Sequence, residues 1–164
     1  MSGLKELQQW ICDTCRDVIE SPQEGWLEWL ESAGALEEGA SDFRIVHAAS
    51  GSQGTPCRPW MNPPAGKVTG SLPLDGVVGS EALPFLLSKI DPGPYLVEDF
   101  HGPYVASLRE WAELARRLMV PGYEEARQYL PQAVAEGLID DWSEMSIYRR
   151  EQLASVVSEY RDRL

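Results

Sequence analysis

The stretch Trp10-Ile11-Cys12-Asp13-Thr14-Cys15-Arg16 decides how the N-terminal part of this sequence is read. Apolar residues leading into Cys-x-x-Cys suggest a strand that ends in a tight knuckle. Two thiolates on one such turn can both reach a single tetrahedral ion at about 2.3 Å. Closing that tetrahedron takes two more soft or borderline donors. The chain holds three cysteines and two histidines, so the remaining candidates are Cys57, His47 and His101. His47 and Cys57 flank the Gly/Pro-rich loop 50–64 (SGSQGTPCRPWMNPP), which can bring them together. The expectation is a Cys₃His site of Cys12, Cys15, His47 and Cys57 holding one structural Zn2+ per chain. Other readings stay open: buried unliganded thiols acting as small hydrophobes, or a redox pair, although no βαβ pattern surrounds the motif. His47 also fits a hydrogen-bonded core histidine on a strand.

Outward from the knuckle, Leu4 to Gln9 reads as a short helical turn. Gly25-Trp26-Leu27-Glu28-Trp29-Leu30-Glu31 is ambiguous in period, but its tryptophans and the flanking Gly25 and Gly34 favour a strand. Residues 42–48 alternate cleanly, with Phe43, Ile45 and His47 on one face. Pro73 keeps Leu72 extended, and Ser80 is the expected N-cap of a helix over 81–90, closed by Asp91-Pro92-Gly93-Pro94. Val105, Leu108, Ala112, Ala115 and Met119 then follow helical spacing. Ser107 is the expected N-cap and Glu110 its capping-box partner. Pro121-Gly122 ends that helix. A second is expected over about 124–136, bent at Pro131 and stopped at Gly137, and a third opens at Ser143 or Ser146.

These elements predict an α+β fold: a zinc-ribbon-like β module over 1–60, a Pro/Gly-rich connector with one short helix over 61–100, and a helical subdomain over 101–164. The expected core includes Trp26, Trp29, Phe43, Ile45, Trp111, Leu114, Leu118, Leu130, Val134, Leu138 and Val156.

The 164 residues suit one domain of ordinary size. Twenty-six acidic against fourteen basic side chains give a formal charge of −12, which excludes passive, charge-driven attachment to nucleic acid or anionic lipid. Half of that charge lies in residues 1–60. No secretory signal and no membrane-length apolar window is visible, so a cytoplasmic protein is expected. The sequence carries no nucleophile elbow, phosphate loop or His-Glu-x-x-His, and the expectation is that it is not an enzyme. His101, in Glu98-Asp99-Phe100-His101-Gly102, reads as helix-entry chemistry rather than a catalytic base.

The knuckle Trp-Ile-Cys-Asp-Thr-Cys-Arg-Asp-Val-Ile resembles those of zinc-ribbon proteins. As a whole the chain is similar to small bacterial proteins that open with such a knuckle and close with helices, a resemblance that brings no activity with it. Residues 114–139 resemble the helix-turn-helix of winged-helix regulators, with Leu114-Ala115-Arg116-Arg117-Leu118 leading through Pro121-Gly122 to Gly137-Leu138-Ile139. Met119 departs from the glycine usual in that turn. Glu124, Glu125 and Pro131 fall on the would-be recognition helix, where carboxylates repel phosphates. The leading expectation is a zinc-stabilised, non-catalytic interaction or regulatory protein whose acidic surface binds another protein. The alternatives are a DNA-binding regulator using Arg109, Arg116, Arg117 and Arg127, and an acidic nucleic-acid mimic that inhibits a DNA- or RNA-binding protein.

Overall fold

The computed structural model describes residues 3–33, 38–51, 54, 56–91 and 104–163. The fold is α+β, with small antiparallel sheets in a cysteine-rich N-terminal region and helices towards the C-terminus. A two-stranded hairpin, β1 (Trp10–Ile11) and β2 (Val18–Ile19), frames the knuckle, pairing Trp10 with Ile19 and Ile11 with Val18. The larger sheet has the order β4-β3-β5, from β3 (Gly25–Ser32), β4 (Ser41–His47) and β5 (Lys67–Pro73). The strand expectations at Trp26 and at Phe43 are therefore met.

β3 is central, and both of its faces are covered. Leu27 and Trp29 look towards the helices, where Phe85 of α1 (Ala82–Ile90) lies 5.2 Å from the Trp29 ring. Lys89 of the same helix sits 4.5 Å over that ring and binds Glu31 at 2.7 Å. Trp26 and Glu28 look the other way, towards the loop that carries Cys57. Glu28 is fully buried, so its charge requires compensation. It accepts from Arg58 Nε at 2.7 Å and from the Trp60 amide at 3.2 Å, while Arg58 lies 4.5 Å over the Trp26 ring. Opposite Trp29 in β5 stands Gly70, and a Cβ there would fall 2.1 Å from the indole. The absent side chain gives Trp29 room to lie across the neighbouring strand.

β5 corrects the expected connector. The short helix is present, but residues 67–73 form a full strand paired with β3 from Ser32↔Lys67 to Trp26↔Pro73. Proline is tolerated because β5 is an edge strand and Pro73 its last residue. The helix starts at Ala82 after a 3-10 turn over Gly79–Glu81, and Ser80 is not its cap.

α2 (Leu108–Met119) is capped as expected, with Ser107 accepting from the Glu110 amide at 3.3 Å. The Glu110 carboxylate does not close a capping box. It accepts instead from the Asp42 amide at 3.0 Å, covering an outer-edge donor of β4. At the other end of α2, Pro121 has no N–H to offer the Arg117 carbonyl four residues earlier. The Trp10 indole supplies the missing donor at 3.1 Å and so locks β1 to the helix.

The expected helix over 124–136 is two short pieces, α3 (Tyr123–Ala126) and α4 (Leu130–Ala135). Pro131 cannot donate to the Arg127 carbonyl and opens α4 instead of bending a continuous helix. The break also changes which residues face inward. Ala133 is buried, whereas Val134 and Leu138 are 56 % and 42 % exposed and do not belong to the core. Trp29, Ile45, Leu114, Leu118 and Val156 are buried, and Trp26, Phe43, Trp111 and Leu130 pack partly buried against the core. α5 (Arg150–Tyr160) follows a 3-10 turn at Ser146–Tyr148 and brings Leu153, Val156, Val157 and Tyr160 against α3 and α4.

The buried Arg117 guanidinium joins the two regions. It makes a bidentate pair with Glu124 (2.8 and 3.0 Å), binds Asp13 at 2.7 Å and donates to the Ile11 carbonyl at 3.3 Å. Glu124 in turn accepts from the Ile11 amide at 3.1 Å. The ion pair thus serves both backbone groups of Ile11, as a neighbouring strand would. Arg117→Met removes the main counter-ion of Glu124 and Asp13, leaves them to the more exposed Arg127 at 3.1 and 3.5 Å, and is expected to cost about 3 kcal/mol. Urea unfolding measures it; Arg117→Lys restores the charge without the planar fork and recovers only part of the loss.

Candidate metal centre

Each ligand is positioned by a separate piece of local structure. Cys12 follows β1 and is buried. Its amide donates to the Asp17 carbonyl (2.9 Å) and its carbonyl accepts from the Arg16 amide (3.0 Å), closing the knuckle. Arg16 adopts the left-handed conformation, φ +69°, that this reversal requires. Asp13 lays the knuckle along β4, because its amide donates to the Ile45 carbonyl (2.9 Å) and its Oδ2 accepts from the Ile45 amide (2.8 Å). That register places the knuckle two residues from His47 at the end of β4. Cys57 arrives from the long loop, where Thr14 Oγ1 donates to its carbonyl at 2.9 Å and the Arg58–Glu28 pair holds the next residue.

The Sγ atoms of Cys12, Cys15 and Cys57 and a ring nitrogen of His47 lie within 4.8 Å of one another. Thiolates at about 2.3 Å from a tetrahedral ion stand about 3.8 Å apart, so only small movements separate this group from coordinating geometry. Cys15 Sγ and His47 Nδ1 are 3.4 Å apart. His47 Nε2 lies 3.2 Å from the Val18 carbonyl. With Nε2–H donating there, the Nδ1 lone pair faces the sulfurs, the outer-shell arrangement typical of metal-ligating histidines. The structure therefore brings together all four residues named from the sequence. None of the cysteines forms a disulfide.

Burial opposes ionisation of Cys12, but the amides of Cys15, Thr14 and His47 and the His47 side chain overcome it, bringing the thiol down to about 7. Burial raises Cys15 to about 12, assisted by the neighbouring Cys12 and Cys57 sulfurs against a lowering hydrogen bond from the Asp17 amide. Burial also raises Cys57. Three thiols in one dry pocket cannot all ionise without a cation to balance them, and a divalent ion supplies that charge. Four protein donors complete a tetrahedron and leave no position for water or substrate, as in structural rather than catalytic sites.

The chain matches no protein-family model, no curated protein and no solved structure.

Other residues singled out in the sequence lie elsewhere. His101 and the acids before it fall outside the described residues. Of the four arginines considered for a basic face, Arg117 is buried, Arg116 pairs with Glu113 at 3.0 Å, and Arg127 reaches Glu124 at 3.1 Å. Arg109 alone is exposed with no ion-pair partner among the described residues. Glu124 and Glu125 are buried, and Glu125 binds Arg161 at 2.8 Å. No helix of the described residues is long and apolar enough to cross a membrane.

One contributor the sequence reading missed is Gly51. A Cβ at this position would lie 2.8 Å from Cys15 Sγ and 3.3 Å from Cys57 Sγ. Gly51→Ala is expected to weaken metal binding on the order of tenfold, read by competition with a chromophoric chelator. Metal loading at neutral pH is also expected to release the protons that Cys15 and Cys57 still carry. Calorimetry in buffers of different ionisation enthalpy detects that release.

Proposed function

We propose that this chain is a zinc-stabilised, non-catalytic interaction protein that docks a basic partner protein through its acidic surface. The observation that carries the reading is the closed Cys12, Cys15, His47 and Cys57 group with the His47 ring oriented by the Val18 carbonyl. Three thiolates and one imidazole favour zinc over the harder divalent ions, which prefer oxygen donors. The zinc-ribbon resemblance of the knuckle agrees with this donor set. A reducing, cytoplasmic setting fits thiols that are ligands rather than disulfide partners.

The docking role draws on the helical part. Val134, Leu138, Met145 and Tyr148 are exposed large apolar side chains within one short stretch of chain. Exposed Glu136, Asp140, Asp141 and Glu144 are interspersed among them. Arg163 pairs with Glu136 at 3.1 Å, which leaves Asp140, Asp141 and Glu144 as an acidic run between Leu138 and Met145. Apolar side chains beside such a run suit an interface with a basic partner.

Native mass spectrometry of protein purified from its own host is expected to show one zinc ion per chain. Cys12→Ser and Cys15→Ser should each abolish it and lower the unfolding midpoint. A co-purifying basic protein should dissociate as salt rises. Protein that carries no transition metal would overturn the zinc reading, and a partner whose affinity ignores salt would overturn the acidic docking surface.

A further inference from the structure

A cleft of about 810 Å³ opens between β4 and α2, bordered by the knuckle residue Asp13 and lined by none of the four candidate metal ligands. That volume lies within the range of small-molecule sites. Its lining mixes four arginines with four carboxylates, yet the two sets are not equally committed to internal partners. Asp13 Oδ2 accepts from the Ile45 amide and from Arg117. Glu113 Oε2 accepts from Arg116 at 3.0 Å and from the Tyr123 hydroxyl at 2.5 Å. Glu110 Oε2 accepts from the Asp42 amide, and Asp42 Oδ2 from Ser41.

The donors are less occupied. Arg44 lies 4.7 Å over the Trp60 ring, which orients its guanidinium, and it has no ion pair among the described residues. Arg109 projects from α2 and is likewise unpaired among them. Glu113, one turn further along, is already taken by Arg116 and Tyr123. Arg116 is placed 5.8 and 5.7 Å from the rings of Tyr123 and Tyr148, and its buried Nε has no acceptor. The unused capacity of the cleft is thus hydrogen-bond donation from guanidinium groups, which bind planar or tetrahedral oxyanions in bidentate fashion. Phe43, Leu114 and Ile147 contribute apolar surface beside these donors.

We propose that the cleft between β4 and α2 binds a small organic anion, its carboxylate or phosphate held by Arg44 and Arg109 and its apolar body resting on Phe43, Leu114 and Ile147. The excess negative charge elsewhere repels anions, which confines such a ligand to this cleft. The proposal does not rest on the identity of the metal or on the protein-docking surface.

The test titrates the full, metal-loaded chain with benzoate, phenyl phosphate and neutral benzyl alcohol, followed by calorimetry and by protein-observed NMR shifts. At least one of the two anions is expected to bind saturably with a Kd on the order of 1 mM or tighter, and benzyl alcohol is not. Which anion binds more tightly identifies the headgroup. Arg44→Gln or Arg109→Gln should weaken binding at least about fivefold, with circular dichroism and metal content unchanged. Lys5→Gln, which removes an exposed cation outside the cleft, should leave the affinity unaltered. Absence of binding by both anions overturns the proposal, as does binding that survives both arginine substitutions within that margin or that Lys5→Gln weakens equally.

Discussion

The Arg117 guanidinium, held between Glu124 and Asp13, is the contact on which the rest of the molecule depends. It lies on α2, its first carboxylate on α3 and its second inside the Cys-x-x-Cys knuckle, so one side chain fixes three elements. Burying a charged pair is costly and adds little net stability compared with apolar packing. Its value here is geometric. Arg117 and Glu124 satisfy the carbonyl and amide of Ile11, the residue directly before Cys12. A two-residue strand has almost no ladder of its own, and without this substitute its backbone would be left dry and unpaired.

The metal centre inherits its geometry from that arrangement. Cys12 and Cys15 are placed by the knuckle, the knuckle by Asp13 against β4, and β4 ends at His47. Cys57 comes from across the sheet, where the buried Glu28 holds Arg58 and the Trp60 amide. Ordering so long a loop costs conformational entropy. The buried ion pair at one side offsets it, and a metal ion held by Cys57 would offset it at the other. The same Asp13 borders the cleft beside α2, so the knuckle and the cleft share a wall.

Much of this was legible in the sequence. Cys-x-x-Cys announces two ligands on one turn, and with one further cysteine and two histidines the remaining choices are few. The strand at Phe43 and the helix after Ser107 follow from local periodicity and capping, and the strand at Trp26 from its tryptophans and flanking glycines, all of which depend on neighbours within a few residues. The reading failed where partners are distant. Residues 61–100 looked like connector because they are rich in Pro and Gly, and only pairing with β3 and cover by Trp29 make 67–73 a strand. Glu110 looked like half of a capping box, but the Asp42 amide claims its carboxylate. Glu124 looked like a repulsive surface acid, and it is a buried counter-ion.

Composition and spacing by themselves determined the α+β class, the acidic character and the inventory of candidate metal ligands, because these rest on residue identity and short-range periodicity. Only the tertiary structure decided that His47 presents Nδ1 to the three sulfurs, that Arg117 is spent inside the fold while Arg44 and Arg109 remain available at a cleft, and that Val134 and Leu138 face outward. Each of those outcomes is set by which distant group arrives within hydrogen-bond or van der Waals reach. Such encounters are fixed by burial and by competition for donors and acceptors across the whole chain, and no local window of sequence contains them.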